Sequence, residues 1–221
     1  MKIQHLKWTA LAVTTVALAA GLTGCGTTSG YQQADKTGAS IAQFRKEIGA
    51  GKLAVDDTVK SLGQVAVAAD TNPRPAFQQF SKSLANLEST AADVKKRAAD
   101  MKAAGQTYFA NWEKELANLK NPEIKAMATQ QRAKLQATFD SIKKVAEPLK
   151  AQFDPWLSDL KDLRQYLSND LSISGVDAAK PMFAKTQAEG LEVQKSMDAM
   201  IAELNTVAAT LTPANVPPKK N

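Results

Sequence analysis

The chain has one histidine, His5, and one cysteine, Cys25. Everything after Cys25 lacks both residue types, which excludes Cys/His zinc sites, Cys–His and Ser–His nucleophilic catalysis, internal disulfides and histidine-ligated haem. The remaining chemistry-bearing side chains are 22 carboxylates and 28 lysines and arginines. A carboxylate-only metal site would need acids converging on a buried face. The acids instead fall mostly off the apolar positions and alternate with lysine, as on a solvated helix surface. No Gly-x-Ser-x-Gly elbow and no Gly-x-x-x-x-Gly-Lys phosphate loop occurs. Gly49-Ala50-Gly51 is too short to cradle a phosphate and lies inside a helical pattern, where it marks a weak or bent spot or a close approach. No catalytic, cofactor-binding or metal-ligating residue is expected, and the one reactive group is the thiol of Cys25.

The residues before Cys25 say what that thiol is for. MKIQHLK carries two lysines and no acid, and residues 8–22, WTALAVTTVALAAGL, carry no charge. A basic stretch followed by a short apolar run is the pattern of a secretory leader, and the run falls short of the ~20 residues of a comfortable membrane span. It ends in Leu22-Thr23-Gly24-Cys25, which resembles the lipobox of bacterial lipoproteins. That resemblance implies a diacylglycerol on the Cys25 sulfur, cleavage after residue 24, and acylation of the new amine by a fatty acid such as palmitate. Several acyl chains, at ~0.8 kcal/mol per buried methylene, hold a protein on a membrane without spanning it. The residue after the cysteine is Gly26 rather than aspartate. By the lipoprotein sorting rule this implies the periplasmic face of the outer membrane.

The elements that follow are helical. Residues 25–33 read as a lipidated tether, 34–211 as the folded body and 212–221, TPANVPPKKN, as a disordered tail. Within the body the apolar residues step by three and four, and no stretch alternates as a strand would. One run is Phe77, Phe80, Leu84, Leu87, Ala91, Val94, Ala98, Met101, Gly105, Tyr108, Trp112, Leu116 and Leu119. The next includes Ile124, Met127 and Gln131 and continues through Ile142, Leu149, Trp156 and Leu167; the last runs from Val176 through Thr186 and Gly190 to Leu211. Asp70–Pro75, Asn121-Pro122-Glu123 and Ser172–Asp177 are the breaks, with Asn121 and either Ser174 or Asp177 as N-caps. The pattern predicts helices near 34–69, 74–118, 122–171 and 177–211. Short connections make neighbours antiparallel, so the fold class is all-α, an elongated up-down four-helix bundle with coiled-coil-like seams. Both ends of the bundle then lie on one side. The turn near 119–122 points the same way, and its two longer helices would bring it toward the bilayer. Counting from the last turn sets Trp156 level with Gly190, a large ring opposite a small residue.

Other features have structural explanations. Pro148 and Pro155 fall inside the third helix and predict a kink, with Gln152, Phe153 and Asp154 the place for distortion. Lys95-Lys96-Arg97 and Lys143-Lys144 read as solvated faces. Lys219-Lys220 could lie against a membrane or cell-wall polymer. Basic residues are too dispersed among acids for nucleic-acid recognition. Phe109, Phe139, Phe153 and Tyr166 sit beside the seam, either widening the core or forming an exposed patch.

Trp112-Glu113-Lys114-Glu115-Leu116, Ala146-Glu147-Pro148-Leu149, Tyr166–Leu171 and Met197–Glu203 resemble a family of bacterial all-helical proteins of unknown function, often assigned as lipoproteins. The likeness covers roughly residues 30–205. It implies a helical envelope protein and supplies no catalytic residues. The expected function is non-enzymatic: a lipid-anchored periplasmic scaffold or spacer that binds a protein partner or the cell wall. The alternative is a binding module or chaperone-like holder that takes an apolar ligand or unfolded client between its helices, with the space between the third and fourth helices the expected place.

Overall fold

The computed structural model describes residues 29–211. The expected leader at residues 1–24, Cys25 and the expected tail at 212–221 lie outside the described residues. Four helices follow in order: α1 (Gly30–Val67), α2 (Arg74–Asn118), α3 (Pro122–Asn169) and α4 (Ile173–Leu211). No strand occurs among the described residues.

The helix starts follow local hydrogen bonding. Asn121 Oδ1 accepts from the amides of Glu123 at 2.9 Å and Ile124 at 3.1 Å, and Pro122 takes the first helical position. This is the cap, proline and early acid expected from the sequence. Two starts come earlier than the pattern predicts. The Ser29 amide donates to Gln32 Oε1 at 3.1 Å, so residues 30–33 are helical rather than tether. At the last turn, Asp170 Oδ1 accepts from the Ser172 amide, and Ser172 Oγ accepts from the Gly175 amide at 3.1 Å. Ser172 thus does the work assigned to Ser174 or Asp177, and α4 begins at Ile173. Proline removes a backbone donor inside a helix, yet α3 stays helical through Pro148 and Pro155, as α4 does through Pro181.

The helices form a ring in which each touches its sequence neighbours and α4 returns to α1; no backbone contact crosses a diagonal. Cross-helix pairs show the antiparallel register. On α1 and α4, Arg45 Nη1 donates to Asn205 at 2.5 Å and Lys52 Nζ to Asp198 at 2.6 Å. On α3 and α4, Lys185 reaches Asp159 at 2.7 Å, Ser196 reaches Gln152 at 2.6 Å, and Ser141 pairs with Glu203. Trp156, Phe80, Ile41, Ile48, Leu62, Leu84, Leu160 and Leu204 are fully buried between the four helices. The expected level of Trp156 and Gly190 is the observed one: a Cβ built on Gly190 would lie 3.3 Å from Trp156 Cζ2.

The 45 residues of α2 and 48 of α3 exceed the 38 of α1 and 39 of α4. The surplus projects at the end where α1 starts and α4 ends. There Ile124 and Met127, on the apolar stripe of α3, are 53% and 71% exposed, and Gln131 is exposed too. Seam periodicity predicts them buried. Ser141 stands opposite Glu203, so at equal rise per residue Leu211 stands opposite about residue 133. The described part of α4 therefore ends before it could cover them.

Candidate functional site

The α2–α3 interface is closed at two places and open between them. Toward the tip, the ring of Phe139 presses on the Cα of Gly105 so closely that no Cβ would fit there, and Phe109 meets Phe139 edge-on with centroids 5.8 Å apart. Toward the other end, Glu88 on α2 pairs with Lys161 at 3.3 Å and Arg164 at 3.9 Å on α3. Between these points several of the lining residues are small. The stripe of α2 reads Ala91, Val94, Ala98, and α3 offers Ala146. Alanine opposite alanine and valine cannot span the usual distance between packed helices, and a cleft of about 260 Å³ remains.

Phe44, Ile48 and Gly51 of α1 and Met197 and Met200 of α4 form its floor. Leu87 lines the α2 wall, and Leu149 and Phe153 the α3 wall. Gly51 is buried yet not crowded: a Cβ there would meet Met197 Cε at 3.6 Å and Val94 Cγ2 at 3.8 Å. Gly51 therefore leaves room, where Gly105 and Gly190 receive rings. The charged groups at the cleft are Lys95 on α2 and Lys150 and Asp154 on α3. Lys150 Nζ lies 3.4 Å from Asp154 Oδ2. Lys95 makes no ion pair among the described residues.

The open space expected between α3 and α4 is instead between α2 and α3. Trp156 explains why. Its ring covers Gly190, its Nε1 donates to the Thr186 carbonyl at 2.8 Å, and it is 1% exposed. The small residues of α4 are thus filled from α3, while those of α2 are not.

A second depression, about 360 Å³, lies nearer the tip between Gln106, Arg132, Gln136 and Asp140. Its arginine is already engaged: Arg132 Nε donates to the Phe109 carbonyl at 3.2 Å and lies 3.2 Å from Glu113 Oε2. Of the side chains left open between core and patch, Phe109, Phe139 and Phe153 are buried, and Tyr166 is 41% exposed with its hydroxyl donating to the Gly175 carbonyl. Of the basic runs, Arg97 pairs with Glu47 and Asp100, Lys143 pairs with Glu147, and Lys95 stands at the cleft mouth.

Groups with displaced acidity sit elsewhere. Hydrogen bonds from Ser172 hold Asp170 below its ordinary value, burial raises Tyr108, and hydrogen bonds to Asp56, Asp177 and Asp159 raise Lys60, Lys180 and Lys185. Each has a local structural cause and none lines the cleft. Among the described residues no three His, Cys, Asp or Glu side chains converge as a metal site, and no helix is long and apolar enough to cross a membrane. The lining of the cleft suits the burial of an apolar group.

The family described as "Protein of unknown function (DUF2959)" matches residues 28–211, and the chain belongs to it. No curated protein and no solved structure matches the chain.

Proposed function

We propose that this member of an uncharacterised family is a non-enzymatic, lipid-anchored envelope protein that binds an apolar ligand in the α2–α3 cleft. The cleft carries the reading. It is an apolar space of about 260 Å³ between facing helices of a bundle, with its charged groups confined to Lys95, Lys150 and Asp154. Helix–helix gaps of this kind are frequent ligand sites, and a much smaller apolar cavity of ~150 Å³ already takes benzene. Flexible Met197 and Met200 in the floor suit ligands of varying shape.

The anchor rests on the leader and on Cys25, and Gly26 favours the outer membrane, periplasmic face. Lipid at Cys25 would hold the start of α1 at the bilayer, with the ligand cleft further along the rod. Cys25→Ser is expected to leave the bundle folded and to move the protein from the membrane to the soluble periplasmic fraction.

The test of binding uses a neutral environment-sensitive dye on the Cys25→Ser protein. Ala91→Leu and Ala146→Leu place branched side chains in the cleft. Dye fluorescence should rise with the parent protein and fall away with each filled variant, while thermal melting is retained. Equal fluorescence from parent and filled variants would remove the cleft as the site.

A scaffold role has its own support in the exposed Ile124 and Met127 at the α2–α3 tip, in keeping with contact to a protein partner. A photocrosslinker at Met127, compared with one at exposed Leu53 on α1, tests this in cells. One discrete adduct from Met127 alone is expected; identical patterns from both positions would count against a partner at the tip.

A further inference from the structure

We infer that the ligand of the cleft is a single-chain amphiphile with an anionic headgroup, its chain among the apolar walls and its head between Lys95 and Lys150. The inference rests on the cleft being a ligand site, and it adds the ligand's class.

Size sets the first limit. A methylene takes roughly the room of a water molecule in the liquid, about 30 Å³, so about 260 Å³ holds eight or nine of them. That is about half of one long acyl chain and too little for two. Polarity sets the second. The walls and floor are alanine, valine, leucine, isoleucine, phenylalanine and methionine, and the charged groups are Lys95, Lys150 and Asp154. A ligand that is polar along its length would lose water without gaining partners. One that is apolar except at one end would not.

Charge sets the third. Elsewhere along this interface opposite charges bridge α2 and α3: Glu88 to Lys161 at 3.3 Å at one end, Glu113 to Arg132 at 3.2 Å at the other. At the cleft the pattern changes. The α2 side presents Lys95, and the α3 side presents Lys150 with Asp154. Asp154 lies 3.4 Å from Lys150 Nζ, and Lys95 has no carboxylate partner among the described residues. Two lysines and one carboxylate leave the mouth one positive charge in excess. The missing member of the cross-helix pair is an anion, and a carboxylate or phosphate head supplies it where the acyl chain enters.

The test is a titration of the Cys25→Ser protein with a long-chain fatty acid, the alcohol of the same chain length, and a lysophosphatidate, all below their micelle concentrations, read by displacement of the neutral dye. A charge-assisted hydrogen bond should favour the acid over the alcohol by about tenfold. Lys95→Gln should erase most of that preference and leave alcohol binding unchanged. Asp154→Asn should move the other way and tighten the acid. Tighter binding of the fatty acid than of the lysophosphatidate identifies the carboxylate as the natural head, and the reverse order identifies a phospholipid-derived phosphate. Equal binding of acid and alcohol, or a preference that survives Lys95→Gln, overturns the inference while leaving the cleft as an apolar site. Failure of the dye and all three lipids to bind overturns the cleft reading itself.

Discussion

The two seams of α3 solve the same problem with different outcomes. On one side, Trp156 lies over Gly190 of α4, donates its indole N–H to the Thr186 carbonyl at 2.8 Å and is 1% exposed. On the other side, Ala146 stands across open space from Ala91, Val94 and Ala98 of α2. Small residues are present on both partner helices. They bring helices together only where a large side chain faces them, because dispersion contacts need atoms on both sides. The α2–α3 seam obeys the same rule at Gly105, where the Phe139 ring fills the space and the gap is shut. The cleft is therefore a local mismatch of side-chain volume, placed between two points where the helices are held together.

The largest expected effect separates the seams directly. Trp156→Ala removes the largest fully buried side chain and should cost about 3–5 kcal/mol in a urea melt. Phe153→Ala should cost clearly less, because its ring already borders empty space and fewer contacts are lost. Equal losses would mean the cleft is collapsed in solution and the contrast is false.

Glycine variants sharpen the comparison by changing sign. A Cβ at Gly190 would lie 2.6 Å from Val59 Cγ2 and 3.3 Å from Trp156, so Gly190→Ala must push α1 or the indole aside. It should destabilise by about 1–3 kcal/mol. Gly51→Ala meets only ordinary contacts at 3.6 and 3.8 Å. There the helical preference of alanine over glycine should show, with a gain of roughly 0.5–1 kcal/mol. Urea midpoints at constant slope measure both. Matching signs would show that Gly51 and Gly190 occupy equivalent packing.

Much of this was legible in the sequence. The bounds that the pattern predicts for α2 are the observed ones, the seam of α4 from Val176 to Leu211 is buried throughout, and the spacing from the last turn sets Trp156 level with Gly190, as observed. Three things were not. The start of α4 depended on Ser172 being held by Asp170, where Ser174 and Asp177 were equally good caps by type. Ile124 and Met127 kept perfect period, but periodicity marks an apolar face and does not say whether a partner helix reaches it. A ligand space is expected between the third and fourth helices, yet the cleft lies between α2 and α3. The signal for its real place was present in the run Ala91, Val94, Ala98, three small seam positions in succession facing Ala146. Lys95 read as one member of a solvated charge run, because nothing in a heptad pattern says which lysine borders a gap.

The smallest effect distinguishes the two turns that end these seams. At the α2–α3 turn the cap is the Asn121 amide, which does not titrate, accepting from the Glu123 and Ile124 N–H groups. At the α3–α4 turn the Ser172 cap is itself held by the Asp170 carboxylate, which accepts from the Ser172 amide at 2.9 Å. Hydrogen bonds from the Ser172 hydroxyl and amide lower the Asp170 pKa from 3.8. A carboxyl with a depressed folded value stabilises the fold above its unfolded pKa, and that contribution is lost as pH falls through the folded value. Acidification from pH 5 to below the lowered value should therefore speed hydrogen exchange at the Ser172 amide, after correction for intrinsic rates, relative to the Glu123 and Ile124 amides. Asp170→Asn keeps an acceptor and removes the charge, so it should abolish this acid response while leaving α4 to start at Ile173. An unchanged response in that variant would place the acid-labile contact elsewhere than Asp170.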